Sequence, residues 1–296
     1  MGERPLFTAV LGATCIASSG VLVRLSAATP VTVAVYRCLY ALPILGLITF
    51  LEQKRLGPLS ARARNLAWVA GFFFTVDLVL WHNAIDAVGA GLATVLGNLQ
   101  VLIVGFAAWA LLGERPGRTL FWAIPVVMGG VVLISGVAGQ GAYGEDPMLG
   151  VILGIGTSIA YSAFILILRQ SSGDLERIAG PLFHATLASV VFSSAYGLLT
   201  SSIEWEPTWP SHGWLITLAL TSQVVGWLLI SSSLPRLPAA VTSVLLLLQP
   251  VGAMTLAAIV VDERPSVTQL AGALAILGGV IIATAGHRSR VQAPVT

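Results

Sequence analysis

Leu99-Gln100, then Gly113-Glu114-Arg115-Pro116, then Gly129-Gly130: this series returns as Leu248-Gln249, Asp262-Glu263-Arg264-Pro265 and Gly278-Gly279, each group 149 residues after its first occurrence. One shared tripeptide would mean little. Three groups in one register across nearly two helices mark an internal duplication. What was duplicated follows from the apolar stretches around them. A spanning helix needs about 20 mostly apolar residues. Breaks at charge, Pro and Gly predict segments near 7 to 27, 31 to 51, 65 to 85, 88 to 112, 119 to 137, 148 to 169, 178 to 201, 212 to 233, 238 to 261 and 266 to 286. The predicted fold class is therefore an all-α integral membrane protein of about ten transmembrane helices. It forms one domain, 1–296, made of repeat one, 7–137, and repeat two, 148–286.

Composition requires the same solvent. The chain is 56% hydrophobic and only 9% charged, with a mean hydropathy of +0.90, whereas soluble domains carry roughly 25% charged residues. A net charge of +2 and a single Lys give no footprint for nucleic acid. Cys15 and Cys38 both fall in apolar stretches, so neither a disulfide framework nor a metal motif is expected. The N-terminal stretch shows no small-residue cleavage site and reads as the first spanning helix.

Charge then predicts orientation, because basic residues accumulate on the cytoplasmic side. With the N-terminus inside, Arg4, Lys54, Arg55, Arg62, Arg64, Arg115, Arg118, Arg169, Arg177, Arg236, Arg288 and Arg290 are cytoplasmic, 12 of the 15 basic residues. Outer loops carry Asp86, Glu145, Asp146, Glu204, Glu206, Asp262 and Glu263, with Arg264 their one basic residue. Trp68, Trp109 and Trp122 near the inner ends and Trp205, Trp209 and Trp214 near the outer ends make interfacial belts. Both termini are expected inside. Five helices per half is an odd number, so the second half enters the membrane upside down, with the Glu114 loop inside and the Glu263 loop outside. Inverted repeats are the architecture of alternating-access carriers, whose site lies near the midplane between the halves.

The repeated pattern of Gln, an apolar run, Gly-Glu-Arg-Pro and a helix ending in Gly-Gly-Val resembles the EamA-type repeat of the drug/metabolite transporter superfamily, over essentially the whole chain. Arg37, after Thr29-Pro30, looks like that family's recurrent Arg, and Pro250 after Gln249 like its Pro in the ninth helix. Among members the text is most similar to YddG-type exporters of aromatic and other neutral amino acids. It departs from the pattern at Val101, where the second repeat has Pro250, and at Ser18-Ser19-Gly20, where the family commonly has Trp-Gly. The resemblance implies inward- and outward-facing states and a central cavity contributed by both halves.

Polar residues inside the spans supply the candidate site. Asp77 is the one acid well inside a span, roughly 18 Å from the start of its helix. An ionised carboxylate there costs several kcal/mol unless paired, hydrated or protonated. It could pair with a substrate ammonium, carry a proton in exchange, or serve assembly through another helix. Phe73 and Trp81 stand four residues either side of it. His82 near the outer end could shuttle a proton or simply be solvated. Asn98, Gln100 and Gln249 carry amides able to meet both ends of a zwitterion, or to bond neighbouring helices. Ser222, Gln223 and Trp227 form a stripe in the eighth helix, and Tyr161 stands among small residues in the sixth. These aromatics suit either a pocket for flat apolar groups or routine packing. Arg37 could bind a carboxylate, but snorkelling to the outer interface is the favoured reading. The Glu-Arg-Pro groups read as structural, with Pro setting the first helical turn. Paired glycines, and Gly150 with Gly154, read as close-packing positions.

No Walker phosphate loop is found, so neither ATP nor any cofactor is expected. The partners expected are a small-molecule substrate, the lipid bilayer and, through Asp77 or His82, a proton. A broad drug exporter and a sugar-nucleotide exchanger are alternatives, the latter opposed by the scarcity of buried basic residues. A membrane enzyme would need its acids, bases and nucleophiles clustered at one face, and here they are scattered. A non-transporting receptor would move no cargo in liposomes.

Overall fold

Helices begin and end where the sequence supplies the chemistry. Pro30 opens one at its first turn, and Pro147 does the same behind Asp146, whose carboxylate accepts from Leu149 N–H at 3.0 Å. Ser60 caps Ala63 N–H at 3.2 Å. Gly57 and Gly113 end their helices at φ +79° and +69°, in the region only glycine enters freely.

A computed structural model describes residues 5–114, 117–134, 146–173, 176–205, 208–260 and 266–291. Among these all regular structure is helical: α1 (Pro5–Ala17), α2 (Ser19–Ser26), α3 (Pro30–Leu56), α4 (Ala61–Asn98), α5 (Gln100–Leu112), α6 (Arg118–Ile134), α7 (Pro147–Ser171), α8 (Ala179–Thr200) and α9 (Ser211–Leu218). A π-helical segment, Ala219–Gly226, leads into α10 (Trp227–Ser233) and a short turn, Leu234–Arg236. Then come α11 (Ala239–Leu246), α12 (Leu248–Val260) and α13 (Val267–Val291). Among the described residues, seven helices are long and apolar enough to cross a membrane, and three more, Leu96–Leu112, Arg118–Leu133 and Val267–Ala283, are apolar but shorter.

Several expected boundaries differ. The first span breaks at Ser18, whose hydroxyl bonds back to Cys15 O at 2.7 Å. The expected third and fourth spans are joined in α4, helical without interruption. Yet a Cβ built on Gly97 would lie 3.8 Å from Trp81 Cδ1, whereas the intervening residues would span about 24 Å of straight helix. The element therefore doubles back on itself between those residues. The breaks that do occur, at Leu99 and at Leu247, fall beside the two Leu-Gln pairs. Hydroxyls of α7 bond to carbonyls on either side of the first: Ser158 Oγ donates to Gly97 O at 3.1 Å and Ser162 Oγ to Gln100 O at 3.4 Å.

The halves interleave. α1 packs on the π segment and α10, as α7 packs on α4; α3 packs on α8, and α6 on α13. Close approach is concentrated at a few glycines. A Cβ on Gly130 would stand 2.7 Å from Gly272 O, and one on Gly279 2.4 Å from Val127 Cγ1, while their neighbours Gly129 and Gly278 meet nothing within 4 Å. One glycine of each pair therefore makes the α6–α13 contact. Gly154, 2.6 Å by the same construction from Leu96 Cβ, serves the α7–α4 contact inside the chain. Large apolar side chains such as Phe121, Trp122, Leu199 and Ile259 point outward, while polar ones such as Gln100, Gln223, Ser158 and Thr242 are buried. This is the reverse of a soluble protein and suits lipid. Arg115, Pro116, Glu145, Glu206 and the group 262–265 lie outside the described residues, as do the side chains of Asp86, Arg288 and Arg290.

Candidate functional site

Arg37 lies seven residues into α3 and is 6% exposed. It does not snorkel to the helix end. Its guanidinium sits 5.7 Å from the centroid of Phe74, and Nη2 donates to Gln223 Oε1 at 3.1 Å and Ser222 Oγ at 3.4 Å. Nε is buried without a partner. Gln223 is fixed in orientation by a second bond, from its Nε2 to Thr186 Oγ1 at 3.2 Å. Ser222 is tied at 2.7 Å to Ser19 Oγ, at the break in the first span. Both partners of Arg37 are presented by the π segment, a rare geometry that recurs at functional sites.

Asp77 is 8% exposed and lies within electrostatic reach of Arg37 and Tyr161. The two charges form no ion pair within 4.0 Å. The Tyr161 side chain is in hydrogen-bonding contact with Gln249. Below them is a packed aromatic group: Phe74 stacks on Phe164 at 4.7 Å between centroids, and Trp227 meets Phe164 edge-on at 4.8 Å and Phe74 at 6.0 Å. Tyr161 joins it at 6.2 Å from Phe164 and 6.5 Å from Trp227. Asp77, Tyr161, Ser222, Gln223, Trp227 and Gln249 are thus brought together around Arg37.

The remaining candidates lie elsewhere. Trp81 and His82 contact each other at 5.0 Å, and His82 lines a cavity of about 270 Å³ with Thr29, Asn83, Tyr196 and Ser202. Gln100 is buried and donates to Ser243 O at 3.3 Å, joining α5 to α11, and Asn98 sits beside it at the helix break. Phe73, expected to flank Asp77, contacts Phe72 at 5.6 Å; its neighbour Phe74 is the ring that meets Arg37. Ser19, Phe74, Phe164 and Thr186 complete the cluster without having been singled out. One signal could have found two of them. Thr186 stands 149 residues after Arg37, and Gln223 stands 149 after Phe74, so the cluster surrounds the axis relating the halves. By the same offset Asp77 corresponds to Gly226 and Tyr161 to Gly12. Those two glycines touch each other: a Cβ on Gly12 would lie 3.0 Å from Gly226 O.

A bundle that turns apolar side chains outward and gathers buried polar ones where two repeated halves meet is an integral membrane protein. Residues 4–136 and 148–285 each match the EamA-like transporter family, and the chain belongs to it; its members are membrane transporters of small molecules. One crystal structure of another protein, 16% identical, aligns over 99% of this chain and 100% of its own with a TM-score of 0.81, a likeness of fold. No curated protein sequence matches.

Proposed function

We propose that the chain is a ten-span carrier of a bacterial inner membrane, with both termini cytoplasmic, that exports neutral and aromatic amino acids by alternating access between its inverted halves. The seven long and three shorter apolar helices support the span count, and the one-sided distribution of Arg and Lys supports the orientation. The observation that carries the cargo class is the pair of buried, opposite charges that do not pair with each other. Arg37 keeps a donor, Nε, without a partner, and Asp77 stands close by on another helix. An isolated buried charge costs several kcal/mol, so the complementary ligand brings both signs. A carboxylate would take the Arg37 fork and an ammonium would take Asp77. Gln223, Gln249 and Tyr161 can bond either group, and the aromatic group offers an apolar floor.

Counterflow of labelled neutral and aromatic amino acids in proteoliposomes tests this directly. Native protein is expected to exchange at least one of them. Asp77→Asn removes the ammonium partner and is expected to weaken exchange by about tenfold or more. Repeating the assay under an imposed proton gradient separates a carboxylate that also carries a proton, whose response Asp77→Asn abolishes, from one that only binds. A folded native protein that moves no amino acid refutes the cargo assignment.

A further inference from the structure

At the end of the bundle where α3 terminates, carboxylates of the first half hold helix starts of the second. Glu52, in the last turns of α3, accepts three backbone N–H bonds at the entry to α8: Ile178 and Ala179 at 2.9 Å on Oε1, and Gly180 at 2.9 Å on Oε2. Arg177 returns the tie, donating to Gly57 O at 2.7 Å and also to Leu56 O. Glu114, after α5, accepts from Ala239 N–H at 2.9 Å, the first residue of α11, and pairs with Arg169 at 2.6 Å. Arg169 further donates to Leu234 O at 2.9 Å and Leu237 O at 3.1 Å. The bonds of Glu52, Arg177 and Glu114, the Glu114–Arg169 pair included, cross from one half to the other.

The opposite end is joined differently. Among the described residues, the start of α3 there meets the chain leaving α8 through neutral groups: Thr29 Oγ1 donates to Ser202 O at 2.9 Å, and Glu204 N–H donates to Thr32 Oγ1 at 2.8 Å. The offset of 149 places Ser201 opposite Glu52, so the residue equivalent to that carboxylate is a hydroxyl. The first turn of α3, equivalent to the first turn of α8, has no side-chain cap. A carboxylate at a helix N-terminus gains from both the exposed N–H groups and the helix dipole, and charged hydrogen bonds are about twice as strong as neutral ones.

We propose that Glu52 and Glu114 are latches that bias the carrier toward the state closed at the end bearing the basic loops. Resting on the alternating-access reading, this makes that end the harder one to open, and cargo binding there has to supply the difference. Among the described residues the other end is held by neutral bonds, with Ser201 where this end has Glu52, so the two ends are held unequally. The two latches act through separate helices, α8 and α11, and each is removable without touching the central cluster.

Spin-label pairs in nanodiscs test it, with Cys15 and Cys38 changed to Ser. One pair, Arg55→Cys and Gln170→Cys, reports the latched end; another, Asn83→Cys and Glu204→Cys, reports the opposite end. Glu52→Gln and Glu114→Gln are each expected to raise the population with a lengthened latched-end distance by about tenfold, with a matching shortening at the other end, and the double variant by more. Unchanged distributions in both single variants overturn the proposal. Should Glu52→Gln not yield monodisperse protein, Glu114→Gln alone decides. Counterflow on the same samples separates the two readings, since distances that shift in a protein moving no amino acid uphold the latches and remove only the cargo.

Discussion

Arg37→Met is expected to abolish amino-acid binding, lowering affinity by about a hundredfold or more, in a protein that still purifies as a folded species. The guanidinium is buried and held in place by Gln223, Ser222 and the face of Phe74. Breaking a buried charge pair by removing one partner costs roughly 3–5 kcal/mol, and each 1.4 kcal/mol is tenfold in affinity. Folding is spared because the substitution removes a buried cation and leaves an unbranched apolar chain of similar reach. Arg37→Lys discriminates further. An ammonium keeps the charge but lacks the planar fork, so it cannot hold Gln223 and a carboxylate together; an intermediate loss of about tenfold is expected. Equilibrium binding of labelled amino acid to purified protein, set beside thermal unfolding of the same samples, checks both. Native affinity in Arg37→Met would remove the residue from the site.

Gly71→Ala is expected to have the largest effect on stability. A Cβ there would stand 2.2 Å from Ala185 O and 2.7 Å from Ala188 Cβ, so α4 and α8 would have to move apart. Neither obstacle is the flexible end of a long side chain, and overpacking of this kind costs about 1–3 kcal/mol or more. The neighbourhood adds to the loss. Beside this contact Thr75 Oγ1 and Ser189 Oγ bond across the same two helices at 3.1 Å, with Ser193 donating to Thr75 at 3.4 Å. Separation would strain each of these buried bonds. Gly129→Ala and Gly278→Ala are the controls, since nothing lies within 4 Å of either new methyl, and helix propensity favours Ala by about 1 kcal/mol. Thermal unfolding should show Gly71→Ala well below native and both controls at or above it. Equal midpoints would contradict the packing.

The repeat was legible because its signals are local and keep one register: Leu-Gln at 99 and 248, Glu-Arg-Pro, the paired glycines. Six of the ten candidate site residues also converge on one cluster. What escaped depends on partners distant in the chain. Arg37 looks like an interfacial cation when counted along its own helix, but the Gln223 and Ser222 side chains, 186 and 185 residues away, bond it inward. Phe73 and Phe74 are adjacent, so which ring meets Arg37 depends on a helix rotation that a span with apolar residues on every side does not specify. The same holds for Gln100, whose amide nitrogen donates to Ser243 O on another helix while its Oε1 is buried without a partner. The π segment has no composition of its own to announce it. Its contacts are with a distant part of the chain, Gly226 against Gly12 and Thr221 and Ser222 bonded to Ser18 and Ser19.

Duplication gave the halves one register and unequal chemistry. Arg37 and Asp77 both belong to the first half, while their counterparts in the second are Thr186 and Gly226. A zwitterion gripped at both ends would therefore be a passenger of one half, riding with it through the whole stroke. The second half would be the vehicle's sliding door: it lends Gln223 to steady the seat, then parts from Arg37 as the door travels. Symmetry in the frame and asymmetry in the grip let one molecule ride without being torn between two carriers.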